Sequence, residues 1–394
     1  MSGSSMRLRV LRHIAVLALL PAAPVLAADY PKPLAEEPIP AVETLPAAYP
    51  ASWMLVHDMN FTSLVDGRVV VVDTAGETHN LKGVMPAGQF ATFTAATTRP
   101  EIYVAETFYS RLTRGTRTDV ITIYDRGTLV AKDEIVLPGG KRGLFVSTKN
   151  SFKLTNDEKW ALVFNFTPAS SVTVVDIAGR KILGDIDLPG CSMIYPVGPR
   201  GFATMCADGT MTTLDLAADG TVAASRTSKA FNDIDKDAMF MMPAMVGSTA
   251  WFVTFAGNVQ GVDLAGPTAT PRAKFAIGAA DGAVTQWRPG GWQVVTADAT
   301  GLLYVLMNPA GKEGSHKDGG TEVWVVDPDK QQRLRRIKLE SLGVSVEVTR
   351  EAKPGLVVAR PDGALDVYDA AAGTLRKTLG GSIAISPFTM SAVQ

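Results

Sequence analysis

Histidine and cysteine are scarce in this chain, four and two in 394 residues, and their scarcity removes most familiar routes to catalysis. Beyond the first 27 residues the histidines are His57, His79 and His316, too widely separated for metal-ligand spacing. No HExxH, G-x-S-x-G, Walker loop or CxxC occurs. Gly-rich stretches such as GKEGSHKDGG lack a following helix, which argues against a phosphate cradle. Helical periodicity is almost absent, so bundles and Rossmann-type folds are poor alternatives. After the N-terminal segment no apolar run approaches the length of a membrane-spanning helix.

That N-terminal segment reads as a secretory signal covering residues 1–27. Arg7, Arg9 and Arg12 precede a short apolar run, Ile14 to Leu20, and small residues lead to a cut near Ala27/Ala28. Removing it leaves 35 basic and 39 acidic residues, a net charge near −4 with no electrostatic footprint for nucleic acid. Residues 28–52, rich in Pro, Ala and Glu, read as an extended arm, and 53–394 as the folded body. Two cysteines in an exported chain favour one disulfide, Cys191 with Cys206.

What the chain has in quantity is a repeat. Alternating β-branched residues end in Asp, followed by a polar turn and a second alternating run. Examples are RVVVVDTAGETHNLKGV, SVTVVDIAGRKILGDIDLPG and EVWVVDPDKQQRLRRIKL. The marker residues are Asp73, Asp125, Asp176, Asp215, Asp263, Asp327 and Asp369, seven in all. Another strand-like run precedes each copy, and a third precedes that run from the second copy onward. The first copy lacks its third run, and the C-terminus offers a spare one, SIAISPF. The pattern predicts an all-β, seven-bladed propeller of four-stranded antiparallel blades, closed when the C-terminal strand completes blade one. Closure removes sheet edges that would otherwise be exposed. The recurring Asp residues are expected to cap turns through backbone hydrogen bonds.

With strands lettered A to D from axis to rim, every B–C and D-to-A connection leaves on one face. Two B–C connections are long. Blade two has TFYSRLTRGTRTDV, carrying Arg111, Arg114 and Arg117, and blade six has NPAGKEGSHKDGGT, Asn308 to Thr321. The segment entering blade six adds Trp287, Arg288 and Trp292. Insertions concentrated on one side of a rigid scaffold mark a partner surface, and aromatics and Arg are favoured at such surfaces. Each Arg alone is as readily explained by pairing within the chain, and each Trp by wedging between blades. Cys191 and Cys206 are equidistant from the turn Val197–Arg200 and face each other across a hairpin. A bridge closing that loop contributes up to about 3 kcal/mol in the chain-entropy model.

YSRLTRGTRTDVITIYD, RPGGW, NPAGKEGSHK followed by EVWVVD, and the cysteine spacing together resemble the heavy subunit of the quinoprotein amine dehydrogenases. The resemblance runs from about Val56 to the C-terminus. GKEGSHK and FAGNVQGVDL look closer to the aromatic amine (aralkylamine) branch than to the methylamine branch. The resemblance implies a periplasmic heterotetramer of two heavy and two light subunits. It places the tryptophan tryptophylquinone cofactor and the catalytic base in the light subunit, so no catalytic residue, cofactor or metal is expected in this chain. The complex would oxidise a primary amine to an aldehyde and ammonia and pass electrons to a small blue copper protein. Arg111, Arg114, Arg117, Trp287, Arg288 and Trp292 become candidates for the light-subunit face. The family places a Phe at the pocket mouth on the loop entering strand A of blade two. Gln89 aligns there with Phe90 next to it, and Phe90 is alternatively the first inward residue of that strand. The reading from residues alone, without the resemblance, is a secreted binding-only propeller with no enzymatic partner.

Overall fold

The computed structural model describes residues 43–145, 148–278 and 286–393; the signal segment and most of the arm lie outside them. Seven antiparallel sheets, each four strands wide, follow one another along the chain. In blade two, strand A is Thr92–Ala95, B is Glu101–Arg111, C is Arg114–Asp125 and D is Ala131–Val136. B and C strands are buried on both faces because each blade is packed between two others. RVVVVD and SVTVVD are therefore almost wholly enclosed and rich in valine, which suits a pleated surface covered on each side. The D strands lie at the rim and carry the exposed polar residues, as in Ala131–Val136.

The marker aspartates do the turn work expected of them in most blades. One carboxylate oxygen each of Asp73, Asp125, Asp327 and Asp369 accepts two backbone N–H groups of the following turn. An Arg376 guanidinium beside Asp369, aided by these N–H groups, holds its carboxyl down at about 2. Asp215 differs. It lies one residue inside strand C of blade four, Met211–Leu216, and pairs with Arg226 on the neighbouring strand instead.

The ring closes through the C-terminal strand, which becomes strand A of blade one and pairs antiparallel with Trp53–Asp58. The closing strand is Pro387–Ala392 rather than the SIAISPF stretch expected from alternation. The cause is Asp58, fully buried at the end of strand B. Its carboxylate accepts the N–H groups of Ile385 and Ser386 at 2.9 and 2.8 Å, which bends those residues into a turn before pairing begins.

Two strands are interrupted. The outer strand of blade five is split into Thr270–Pro271 and Phe275–Ala276, since Pro271 has no N–H to continue the ladder. The inner strand of blade six is split into Arg288–Pro289 and Val295–Ala297. The break is the Gly290-Gly291 pair of RPGGW. Gly291 has φ +136°, and a Cβ there would lie 2.5 Å from the Val344 carbonyl oxygen; one on Gly290 would lie 2.8 Å from that of Gly319. The motif is thus a close backbone approach that only glycine permits.

His57, in strand B of blade one, is buried against Phe93. Burial pushes its pKa from 6.5 down to about 4, with Asp58 pulling partly back. The unfolded chain therefore takes up a proton between pH 6.5 and 4 while the folded chain does not. Stability present above pH 6.5 falls as the pH drops through that window. Between pH 7 and pH 5 the loss from this residue should be about 2 kcal/mol. Urea unfolding at the two pH values should show the loss in the wild type and a correspondingly smaller one in His57→Gln; equal slopes would refute it.

Candidate docking face

All B–C and D-to-A connections come together on one side of the disc, as their mutual contacts show. Arg117, from the blade-two B–C hairpin, donates to the Arg142 carbonyl on the segment entering blade three at 2.6 Å. Phe166, on the blade-three B–C turn, donates through its backbone to Lys141 and packs on Phe145. Phe255, on the blade-five B–C turn, stacks on His316 of the blade-six insertion, rings 4.4 Å apart and 11° from parallel. The two enlarged connections therefore project from the same face.

The blade-two connection is a ribbon rather than a loop. Strands B and C simply continue past the rim of the disc, with Arg111 opposite Arg114 and a turn at Leu112-Thr113. The sequence reading counted the residues between two strands and missed that they pair. The turn uses left-handed backbone at Leu112 and at Gly115, where the register slips by a bulge. Arg117 belongs to the ribbon's base: it binds Asp119 at 3.0 Å as well as the Arg142 carbonyl. Arg111 and Arg114 sit at the tip, exposed, with no ion pair or side-chain hydrogen bond among the described residues. Leu112 between them is 70% exposed.

The candidates near RPGGW divide. Trp287 packs on Trp324, centroids 5.5 Å apart, with the Arg336 guanidinium 4.7 Å from the Trp287 ring and 5.3 Å from that of Trp324. It is an internal wedge of blade six. Arg288, half-buried, pairs through its backbone with Asn308 at the foot of the insertion. Trp292 is half-buried and forms an aromatic group with Phe388 and the exposed Phe61, at 5.0 and 6.3 Å. The Ala279–Thr285 part of the segment entering blade six lies outside the described residues.

Sequence reasoning missed the apolar content of this face. Phe61, Phe108, Leu112, Phe166, Met241 and Ile385 are each more than 40% exposed, and all six lie on B–C or D-to-A connections. A depression of about 430 Å³ beside the ribbon's base is lined by Phe145, Phe164, Phe166, Met193 and Met241, with Arg117 and Arg142 on its polar side. Single apolar residues in loops are unremarkable, and only the topology gathers these into one surface.

Gln89 and Phe90 are held by a buried charge network that the sequence also concealed. Arg142 donates to the Phe90 carbonyl at 2.7 Å, the Gln89 carbonyl at 2.9 Å and the Thr107 hydroxyl at 2.6 Å. Glu106 accepts the Gly88 N–H and the Thr122 hydroxyl. Burial lowers the Arg142 pKa to about 10, opposed by nearby Asp119, and burial raises that of Glu106. Phe90 is not the first inward residue of strand A. It precedes Thr92, half-buried, at φ +52°, a region that non-glycine residues occupy at a cost. The Gln89 side-chain oxygen is buried with no hydrogen-bond partner among the described residues.

Cys191 and Cys206 are directly opposite across strands A and B of blade four and form a disulfide, Cα atoms 3.9 Å apart. Among the described residues no group of three His, Cys, Asp or Glu side chains could hold a metal ion, and no helix is long and apolar enough to cross a membrane.

Fold and face together define a propeller scaffold with one enlarged, partly apolar side. The same overall architecture occurs in a dihydro-heme d1 dehydrogenase (TM-score 0.52, 15% identity, 88% of this chain and 76% of that one). It occurs also in a putative 6-phosphogluconolactonase from Bacteroides fragilis (TM-score 0.58, 13% identity, 91% and 100%). These likenesses concern the fold alone. The family model of the methylamine dehydrogenase heavy chain matches residues 52–386. Methylamine dehydrogenase heavy chains from Paracoccus versutus and Methylorubrum extorquens are each 30% identical, over 303 and 305 residues, 76% of this chain and 70% and 73% of theirs. The chain belongs to the methylamine dehydrogenase heavy chain family.

Proposed function

We propose that this chain is the heavy subunit of a periplasmic quinoprotein amine dehydrogenase, two heavy chains assembling with two light chains. The light subunit carries tryptophan tryptophylquinone, which supplies the two-electron oxidation. The overall reaction converts a primary amine and water to an aldehyde and ammonia, releasing two electrons and two protons, and a small blue copper protein takes the electrons. This chain's own residues bind and wall. The B–C/D-to-A face docks the light subunit, with Arg111, Leu112 and Arg114 projecting furthest. The backbone of Gln89 and Phe90, fixed by Arg142, forms a stiff edge of the substrate pocket.

The observation that carries the reading is the collection of exposed apolar side chains and unpaired tip arginines on the same face as both enlarged connections. Arg is suited to forked hydrogen bonds with carboxylates or carbonyls of a partner. An aromatic amine is the favoured substrate class. GKEGSHK and FAGNVQGVDL, the stretches closest to the aralkylamine branch, meet through the Phe255–His316 stack.

Native purification should yield a small second chain carrying a quinone absorbance. Leu112→Asp combined with Arg114→Ala should weaken subunit association roughly thirtyfold, the scale of a central interface residue. The thermal unfolding of the free heavy chain should be unchanged, because the tip is exposed. Undiminished association would remove the ribbon from the interface, and a heavy chain purified without any partner would favour a binding-only propeller.

A further inference from the structure

The axis of the ring holds a second feature. A cavity of about 560 Å³ is lined by inner strands of blades one and three to seven. Its lining runs from Lys149, Met242 and Gln293, which precede inner strands, to Asn156 and Gly247 of A–B turns, so it extends along the axis toward the side opposite the ribbon.

Charge in this cavity is unbalanced. Three cations line it, Lys149, Lys153 and Arg350, against one carboxylate, Glu347. That carboxylate is fully engaged. It accepts from Lys149 at 3.0 Å, Gln293 at 2.9 Å, the Thr296 hydroxyl at 2.5 Å and the Val348 N–H at 3.2 Å. Lys149 is thereby ion-paired, whereas Lys153 and Arg350 feel Glu347 only through space. Arg350 places one side-chain N–H on the Ala297 carbonyl at 2.8 Å, leaving the rest of its fork without an acceptor among the described residues. Lys153 makes no hydrogen bond or ion pair among them at all, although it borders both this cavity and the adjoining one beneath Phe93. Burial and the nearby Lys149 push its pKa down to about 8, with Glu347 pulling partly back, so it stays charged at neutral pH at a cost to the fold. A methionine or leucine would fill the same place without that cost. Proteins retain an unbalanced, desolvated cation chiefly where something binds it.

We propose that the axial cavity is a binding site for a small oxyanion, a carboxylate or a phosphate, held between Lys153 and Arg350. The volume suits a di- or tricarboxylic acid or a phosphate ester. The ammonium supplies a point charge and the guanidinium a fork matched to two oxygens.

The test uses the purified protein, with its partner chain if one is present. Inorganic phosphate and citrate are titrated separately at constant ionic strength against chloride, and read by calorimetry and thermal unfolding. Saturable binding of either anion, with a raised unfolding temperature, is expected; the tighter of the two identifies the oxyanion class. Lys153→Met should bind it about ten- to a hundredfold more weakly, the value of one hydrogen bond between charged groups. Without anion, the variant should unfold at a higher temperature than the wild type, since only a desolvated charge has been removed. No saturable binding beyond chloride, or equal binding by the variant, overturns the proposal. So does a variant that unfolds at a lower temperature, which would make Lys153 a structural member.

Discussion

Replacing Arg142 with methionine should destabilise the propeller by about 3–5 kcal/mol, the usual result of removing one member of a buried charge network. The volume is conserved, so the loss is electrostatic and polar rather than a cavity effect. Arg142 donates to three acceptors on two other segments: the carbonyls of Gln89 and Phe90 and the Thr107 hydroxyl. Its removal takes the guanidinium from two part-buried carbonyls and leaves Asp119, among the described residues, with Arg117 as its cation. It also releases Phe90 from its left-handed backbone, so the loop at 88–90 should relax as the fold weakens. Arg142→Lys should fail to rescue, because a lysine cannot reach both carbonyls with a planar fork. Denaturant midpoints of the two variants decide the matter. A loss under about 1 kcal/mol would mean that water replaces the guanidinium and the loop is held by other contacts.

The second large effect concerns Asp58. Its carboxylate gathers four donors: the N–H groups of Asn60, Ile385 and Ser386, and the Arg68 side chain. Two of these belong to the segment that leads directly into the closing strand. Asp58→Ala leaves three backbone donors, that of Asn60 buried and those of Ile385 and Ser386 partly so, without their acceptor and frees that segment, a loss of about 3–5 kcal/mol on the same scale. The site of the loss matters as much as its size. If Pro387–Ala392 detaches, Trp53–Asp58 becomes an open edge of a hydrophobic sheet and an aggregation site. Hydrogen exchange should show lowered protection confined first to blade one, and the variant should self-associate during mild heating. Uniform loss of protection across all blades would indicate that the junction is no weaker than the rest of the ring.

The repeat was legible in the sequence because most units mark themselves twice, by alternation of β-branched residues and by an Asp that caps its own turn. Both signals are local. The failures occurred where a contact distant in sequence decides the outcome. SIAISPF alternates well enough to be a strand, yet Asp58, more than 300 residues away, makes its middle a turn. RPGGW stood out as a motif, but its glycines answer to carbonyls of Val344 and Gly319. The arginine segment was visible as an anomaly of length and charge; that its two halves pair was not, since three arginines at every third position do not alternate. For the site, side and topology were readable, whereas the division of labour was not. Arg117 and Trp287 turned inward because Asp119, Trp324 and Arg336 await them. Arg142 carried no local signal, its partners lying 35 to 53 residues earlier in the chain.

The ion pair between Lys149 and Glu347 joins blades three and seven, which are not neighbours in the ring. It therefore acts as a spoke. A wheel held only by its rim contacts can be squeezed into an oval by opening one seam slightly, with no other seam affected. Here such a distortion must stretch a strut across the hub, so pressure applied by a bound partner on one side is felt on the other.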